Sequence, residues 1–302
     1  MPPPEKIVIS ASRRTDIPAF YLDWFMHRLA RGYFEVVNPY NRLKSKVPAS
    51  PDQVHTFVFW SKNFRPFLRK RIGEKLLESG YNLFFNFTVN SAVGQIEPRV
   101  PPLGNRLDQM EQLGRRFDPQ SINWRFDPIC FFRSGSESVK NNLKDFKVIA
   151  ATAAGAGVQR CTTSFMDDYA KIGKRTAEMN GFTFYDPSLN IKVDTLLEME
   201  AQLFSTGISL YTCCEKAVLE ALPPESTVKQ SACIPNDLLV ERYGGNLSLR
   251  KDTGQRRSQG CGCMVSKDIG SYHLHPCFHN CLFCYANPSS AEYHTAGIGE
   301  KI

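Results

Sequence analysis

The stretch Thr56-Phe-Val-Phe-Trp60, followed at once by Ser61-Lys62-Asn63, carries the pattern from which the fold is read. A short run of β-branched and aromatic residues ends in polar ones, as strands do. Comparable runs occupy 6–10, 33–38, 56–60, 82–89, 123–126, 158–163, 208–212 and, most weakly, 228–233. Between them lie segments with helical character at 20–31, 67–79, 107–117, 138–154 and 193–204. Within the first of these, Leu22, Phe25, Met26 and Leu29 fall on one stripe at amphipathic-helix spacing, which serves packing on the sheet. Eight runs alternating with helical segments predict an α/β fold, a TIM-like (β/α) barrel over 1–240. The remainder, 241–302, reads as a basic loop and a cysteine-rich segment set on the barrel mouth.

Length and composition bound the function. The 302 residues are 42% hydrophobic, enough for a sizeable core. The first ten residues hold no apolar stretch of signal-peptide length, and no run of about 18 apolar residues occurs. A cytoplasmic chain with no membrane partner is expected. Ten cysteines in a reducing compartment point to metal binding rather than disulfides, and five of them lie after residue 260. A net charge of +7 permits an acidic partner such as nucleic acid, a phosphorylated substrate or S-adenosylmethionine. Arg250, Lys251, Arg256 and Arg257, in a loop rich in Gly, Ser and Gln, are the residues that would grip a phosphate backbone; a solvated basic surface is the ordinary alternative.

Polar residues gather where the strands should end. Ser12 to Asp16 follow the first, Asn38 the second, and Ser61, Lys62 and Asn63 the third. Asn86, Thr88 and Asn90 mark the fourth, Arg125 and Asp127 the fifth, Ser164 and Asp167 the sixth, Cys213 and Glu215 the seventh. In a parallel barrel these ends share the face that carries the chemistry, although strand ends also need polar caps. Arg13 and Arg14 can hold a carboxylate or phosphate with two prongs, and adjacent residues point opposite ways, so one of them serves the site. Lys62 offers a point charge or a general acid, and alternation puts Arg125 and Asp127 on one face within pairing reach. Arg13, Asp16, Lys62, Arg125 and Asp127 are therefore the catalytic candidates; Ser12, Arg14, Asn63 and Ser164 are the cofactor-binding ones.

Cys277-Phe-His-Asn-Cys281-Leu-Phe-Cys284 brings three thiols to one short loop. Soft sulfur ligands suit zinc, copper or iron–sulfur chemistry, and three of them leave a fourth position open or to be filled from elsewhere. His273, His275 and His279 would complete a zinc site. Cys261 and Cys263, joined by one glycine, call for further ligands from Cys213 or Cys214 and from Cys233; four thiolates would hold a second iron–sulfur cluster or zinc. Cys130 and Cys161 read as isolated buried thiols.

The three-then-two spacing, with Phe283 before the last cysteine and Tyr285-Ala286 after it, resembles the cluster motif of radical S-adenosylmethionine enzymes such as spore photoproduct lyase. That resemblance implies a [4Fe-4S] cluster on Cys277, Cys281 and Cys284, S-adenosylmethionine on its open iron, an electron donor such as flavodoxin or ferredoxin, and hydrogen abstraction from an unknown substrate by a 5′-deoxyadenosyl radical. Those enzymes carry the loop after their first strand, so the resemblance implies a permuted barrel with 10–18 beside the cluster loop, and their Gly-Gly-Glu element has no counterpart here. Nearly the whole chain resembles the domain of unknown function 1848 family, through Ile9-Ser-Ala-Ser-Arg-Arg-Thr-Asp-Ile-Pro18, Phe59-Trp-Ser-Lys-Asn63, Arg125-Phe-Asp-Pro128, Ser164-Phe-Met-Asp167, Cys261-Gly-Cys263 and the run from Ser266 into the cysteine loop. Two other classes stay open: a non-catalytic iron–sulfur or zinc protein that binds nucleic acid, and a barrel hydrolase using Asp16, Asp127 or Asp167.

Overall fold

The computed structural model describes residues 4–38, 41–177, 179 and 181–286. Eight strands form one sheet: β1 (Ile7–Ala11), β2 (Val54–Ser61), β3 (Asn82–Thr88), β4 (Ile122–Ile129), β5 (Arg160–Phe165), β6 (Ser209–Thr212), β7 (Lys229–Gln230) and β8 (Lys267–Asp268). Seven of the eight residues of β2 are buried, so both faces of that strand are covered, as parallel strands require. The order is β7-β6-β5-β4-β3-β2-β1-β8, and every pairing is parallel. All strands therefore end on the same edge.

The pleat sorts side chains between two faces. Ile9, Phe57, Phe59, Phe85, Phe87, Trp124 and Phe126 join the large core formed with the helices. Phe85 stacks on Phe59 and meets Phe64 and Phe67 edge-on, the offset geometries aromatic rings prefer. On the opposite face Val8, Val58 and Phe84 meet Cys213, Cys233, Cys261 and Cys263. A polar chain crosses this second face: Asn123 Nδ2 donates to Asn86 Oδ1 (2.8 Å), Thr162 Oγ1 to Asn123 Oδ1 (2.9 Å), and Asn86 Nδ2 to the Cys233 carbonyl (3.0 Å). The residues just beyond β7 thus lie across this second face at β3. Near the same place the Met264 amide donates to the Ile234 carbonyl (3.0 Å), linking the segment after β7 to the segment before β8.

One expected strand of the main sheet pairs elsewhere. Residues 33–38 are expected in the main sheet, but Tyr33–Val37 pairs antiparallel with Lys44–Pro48 in a separate hairpin. Glu35 is exposed in the middle of that strand, a half-wet pattern that a strand covered on both faces does not tolerate. Asn38 accordingly does not stand at a main-sheet tip. The strand beside β1 comes instead from Lys267–Asp268, inside the segment 241–302. Helices at Ala170–Ala177, Lys216–Ala221 and Asn236–Tyr243 also lie outside the expected helical segments. Among the described residues no helix is long and apolar enough to cross a membrane.

Two stability predictions follow from this interior. Phe85→Ala removes a fully buried ring at the centre of the aromatic core and should cost about 3–5 kcal/mol, read as a lower denaturation midpoint in urea. His55 is buried, with Nε2 donating to the Gly244 carbonyl (2.8 Å), and Nδ1 left to accept from Thr56 Oγ1 (2.7 Å). Burial lowers its pKa below the usual 6.5. Its stabilising contribution is present above that pH and is lost as pH falls, since the unfolded chain then takes up the proton more readily. The melting temperature should drop between pH 7.5 and 5.5, and His55→Gln should flatten that drop.

Candidate metal centres at the strand ends

The loop that follows β8 is fastened to the ends of β1 and β2 through one carboxylate. Asp16 Oδ1 accepts from the Ala19 amide (2.9 Å), capping the helix Ile17–Phe20, and from Ser61 Oγ (2.7 Å). Its Oδ2 accepts from the Lys62 amide (2.8 Å) and pairs with His279 Nε2 (2.7 Å). His279 lies between Cys277 and Cys281, so Asp16 fixes the orientation of the cysteine loop. Other ties reinforce it: Tyr21 Oη donates to the Pro276 carbonyl (2.6 Å), and the Arg175 guanidinium donates to the carbonyls of Cys281 (3.1 Å) and Cys284 (2.6 Å). Asp268 does the same for β8. It accepts from Ser10 Oγ, Ser12 Oγ and the amides of Arg13 and Gly270. Gly270 has no alternative there, because a Cβ would stand 2.1 Å from Ser12 Oγ.

Cys277, Cys281 and Cys284 line one cavity of about 120 Å³ together with Arg13, Thr15, Asp16, Trp60, Ser61, Lys62, Thr88 and His279. Burial pushes the thiols of Cys277 and Cys281 up, while the Lys62 charge pulls against it. A cation placed among these sulfurs would replace the protons that burial otherwise retains. Lys62 Nζ lies 2.6 Å from Glu97 Oε1, with Glu97 buried and Lys62 partly so, and Asn90 Nδ2 reaches the same oxygen (3.2 Å). Burial alone would lower the Lys62 pKa, but the Glu97 carboxylate and the Cys281 sulfur together leave it raised, so Lys62 stands as a positive charge at the cavity wall. Further along, Arg125 pairs with Asp127, whose Oδ1 accepts from Ser164 Oγ (2.5 Å).

A second group of thiols sits on the same edge of the sheet. The sulfurs of Cys213, Cys214 and Cys261 lie within 4.8 Å of one another, with Cys213 and Cys214 3.6 Å apart. Cys233 and Cys263 pack with Cys213 and Cys261 in the same buried cluster. Three thiol neighbours drive the Cys261 pKa far below the ordinary range, and the others are raised. Trp60 lies between this group and the first cavity, with the Arg13 guanidinium 5.6 Å and the Arg125 guanidinium 5.1 Å from its ring centre.

A family model described as domain of unknown function (DUF1848) matches residues 8–286, almost the entire described chain. The chain belongs to the DUF1848 family. A search of curated proteins returns no match. Among solved structures, a triazine hydrolase from Arthobacter aurescens is similar at 11% identity over 87% of this chain, with a TM-score of 0.33, a likeness too slight to bear on fold or activity. This chain spans 59% of that structure's length.

Placed on the DUF1848 structure, the expected site residues divide. Arg13, Asp16 and Lys62 line the first cavity, and Cys213, Cys233, Cys261 and Cys263 meet in the second thiol group. Arg14 turns away and donates to the Gly270 carbonyl (3.0 Å). Ser12 holds Asp268, and the Asn63 side chain accepts from the Arg65 amide (3.2 Å). His275 is wedged between Tyr21 and Trp24, with burial lowering its pKa to about 4. In the basic loop, Arg256 is paired with Asp167, Lys251 donates to the Gly262 carbonyl, and Arg250 to Ser248 Oγ; the Arg257 side chain lies outside the described set. Glu97, Asp268 and Arg175 are absent from the sequence-based expectation. Arg175→Met should release the two cysteine carbonyls, each a charge-assisted bond of about 1.5–3 kcal/mol. Amide hydrogen exchange at 281–285 should rise by about tenfold or more. Unchanged exchange would mean that other contacts hold the loop.

Proposed function

We propose that this DUF1848 chain is an iron–sulfur enzyme resembling radical S-adenosylmethionine enzymes, with Cys277, Cys281 and Cys284 as the cluster ligands. The observation that carries the reading is that three cysteines with this spacing face one cavity at the ends of parallel strands. The donor set fits: three soft sulfurs leave one metal position for an exchangeable ligand, and fixed cations stand beside them. Bound there, a [4Fe-4S] cluster would supply single electrons to S-adenosylmethionine, replenished by an external donor such as flavodoxin or ferredoxin.

The chain's own residues have separate tasks. Asp16 orients His279 and through it the cysteine loop. Arg13 and Lys62 hold positive charge where the carboxylate of S-adenosylmethionine would have to sit. Arg125, Asp127 and Ser164 form a hydrogen-bonded rim for the substrate. We also infer that the sheet curls into a barrel. The Met264-to-Ile234 hydrogen bond and the reach of Asn86 to the Cys233 carbonyl support this, since they join the segment after β7 to the segment before β8 and to β3, four strands along the sheet order. A barrel would set both thiol groups around one mouth.

The test is anaerobic reconstitution with iron and sulfide, then reduction in the presence of S-adenosylmethionine. Wild type should form 5′-deoxyadenosine, and Cys281→Ala should not. A reconstituted, reduced wild type that forms none would remove the radical reading.

A further inference from the structure

The sulfurs of Cys213, Cys214 and Cys261 converge, all within 4.8 Å of one another, although two of the residues are adjacent in sequence. Neighbours on a strand send their side chains to opposite faces. Here the strand has ended at Thr212, and the Cys214 backbone is left-handed (φ 64°), so its sulfur comes to 3.6 Å from that of Cys213. A residue other than glycine takes that conformation only where its surroundings hold it there. The Cys213 amide donates to the Thr163 carbonyl (2.8 Å), which anchors the pair to β5.

Cys261 reaches the pair on a turn held from both sides. Gln230 Nε2, in β7, donates to the Gly260 carbonyl (2.7 Å), and Lys251 Nζ donates to the Gly262 carbonyl (3.0 Å). A Cβ on Gly262 would stand 2.4 Å from the Ser231 carbonyl oxygen. One on Gly260, whose φ is +87°, would stand 3.2 Å from Lys216 Cβ, at the start of the helix Lys216–Ala221. Glycine on each side therefore lets Cys261 come this close to Cys213 and Cys214.

The three thiols are free of disulfides. Cys213 and Cys261 are buried, whereas Cys214 is half-buried and lines a polar cavity of about 400 Å³ beside Asp167, Glu215 and Lys216. A lone buried cysteine behaves as a small apolar side chain, but three that converge from two distant parts of the chain can share one ion. Sulfurs around a single tetrahedral ion, each about 2.3 Å from it, stand roughly 3.8 Å apart. A four-iron cube puts each thiolate on its own iron and spaces them more widely. The spacing here fits the single ion.

We propose that Cys213, Cys214 and Cys261 bind one thiophilic dication, zinc or ferrous iron, apart from the three-cysteine cavity, with its fourth position reached from the polar cavity that Cys214 lines. Three protein ligands with one exchangeable position are the arrangement of a reactive ion rather than a purely structural one. Cys233 and Cys263 belong to the buried cluster around the site and are not ligands. None of Cys277, Cys281 and Cys284 takes part, so the inference is independent of radical chemistry at the first cavity.

The experiment uses the full chain with Cys277→Ala, Cys281→Ala and Cys284→Ala, purified from cells supplied with zinc and iron. Elemental analysis should find about one zinc or iron per chain, without acid-labile sulfide. Adding Cys214→Ser or Cys261→Ser should abolish the metal, while Cys161→Ala, in the main core, should leave it. X-ray absorption should show three sulfurs at about 2.3 Å and one oxygen or nitrogen at about 2.0–2.1 Å. Should the triple variant fail to fold, Cys214→Ser alone should lower the zinc bound by the wild-type chain by about one equivalent. Metal kept by Cys214→Ser, a fourth sulfur on the ion, acid-labile sulfide in the triple variant, or a Cys213–Cys214 disulfide in place of metal would overturn the proposal.

Discussion

The carboxylate of Asp16 holds the site together. Its two oxygens take four donors from the start of one helix, the end of β2 and the cysteine loop. A buried carboxylate persists only when its lone pairs are used, and here the four partners come from three separate pieces of the site. Losing it would free the cap of Ile17–Phe20, the turn after β2 and His279 together. Asp268 has the matching role at β8, so two acids join segments more than 250 residues apart in sequence.

Much of this was visible in the chain itself. Runs such as Phe57 to Trp60 and Leu83 to Phe87 announce strands with both faces covered, and the polar residues after them do converge on one edge. The Cys-Gly-Cys pair could be matched to Cys213 or Cys214 and to Cys233 because those thiols stand at expected strand ends, and the four gather in one buried cluster with Cys214 beside them. Other parts left no such trace. Lys267–Asp268 is a two-residue strand of charged side chains, held by Asp268's hydrogen bonds rather than by apolar burial, so no hydrophobic pattern marks it. Glu97 lies in an irregular stretch before Pro98, and nothing local says that Lys62 will reach it. Tyr33–Val37 looked like its neighbours in composition, but its exposed Glu35 allows only a hairpin with one wet side.

The two thiol groups are neighbours without being parts of one shell. Arg13 touches both environments, lining the three-cysteine cavity while facing Cys263 and Cys233. Trp60, between Arg13 and Arg125, fills the space separating them.

The pairing of β1 with β8 has a consequence for synthesis. β1 precedes its partner β8 by some 260 residues, so during synthesis one of its two edges is paired late. Until then that edge, ending in the segment that carries Arg13 and Asp16, waits unpartnered, and the cysteine loop follows later still. A metal held by Cys277, Cys281 and Cys284 could settle only once that loop had been made, so such loading would follow the pairing of this edge rather than seed it.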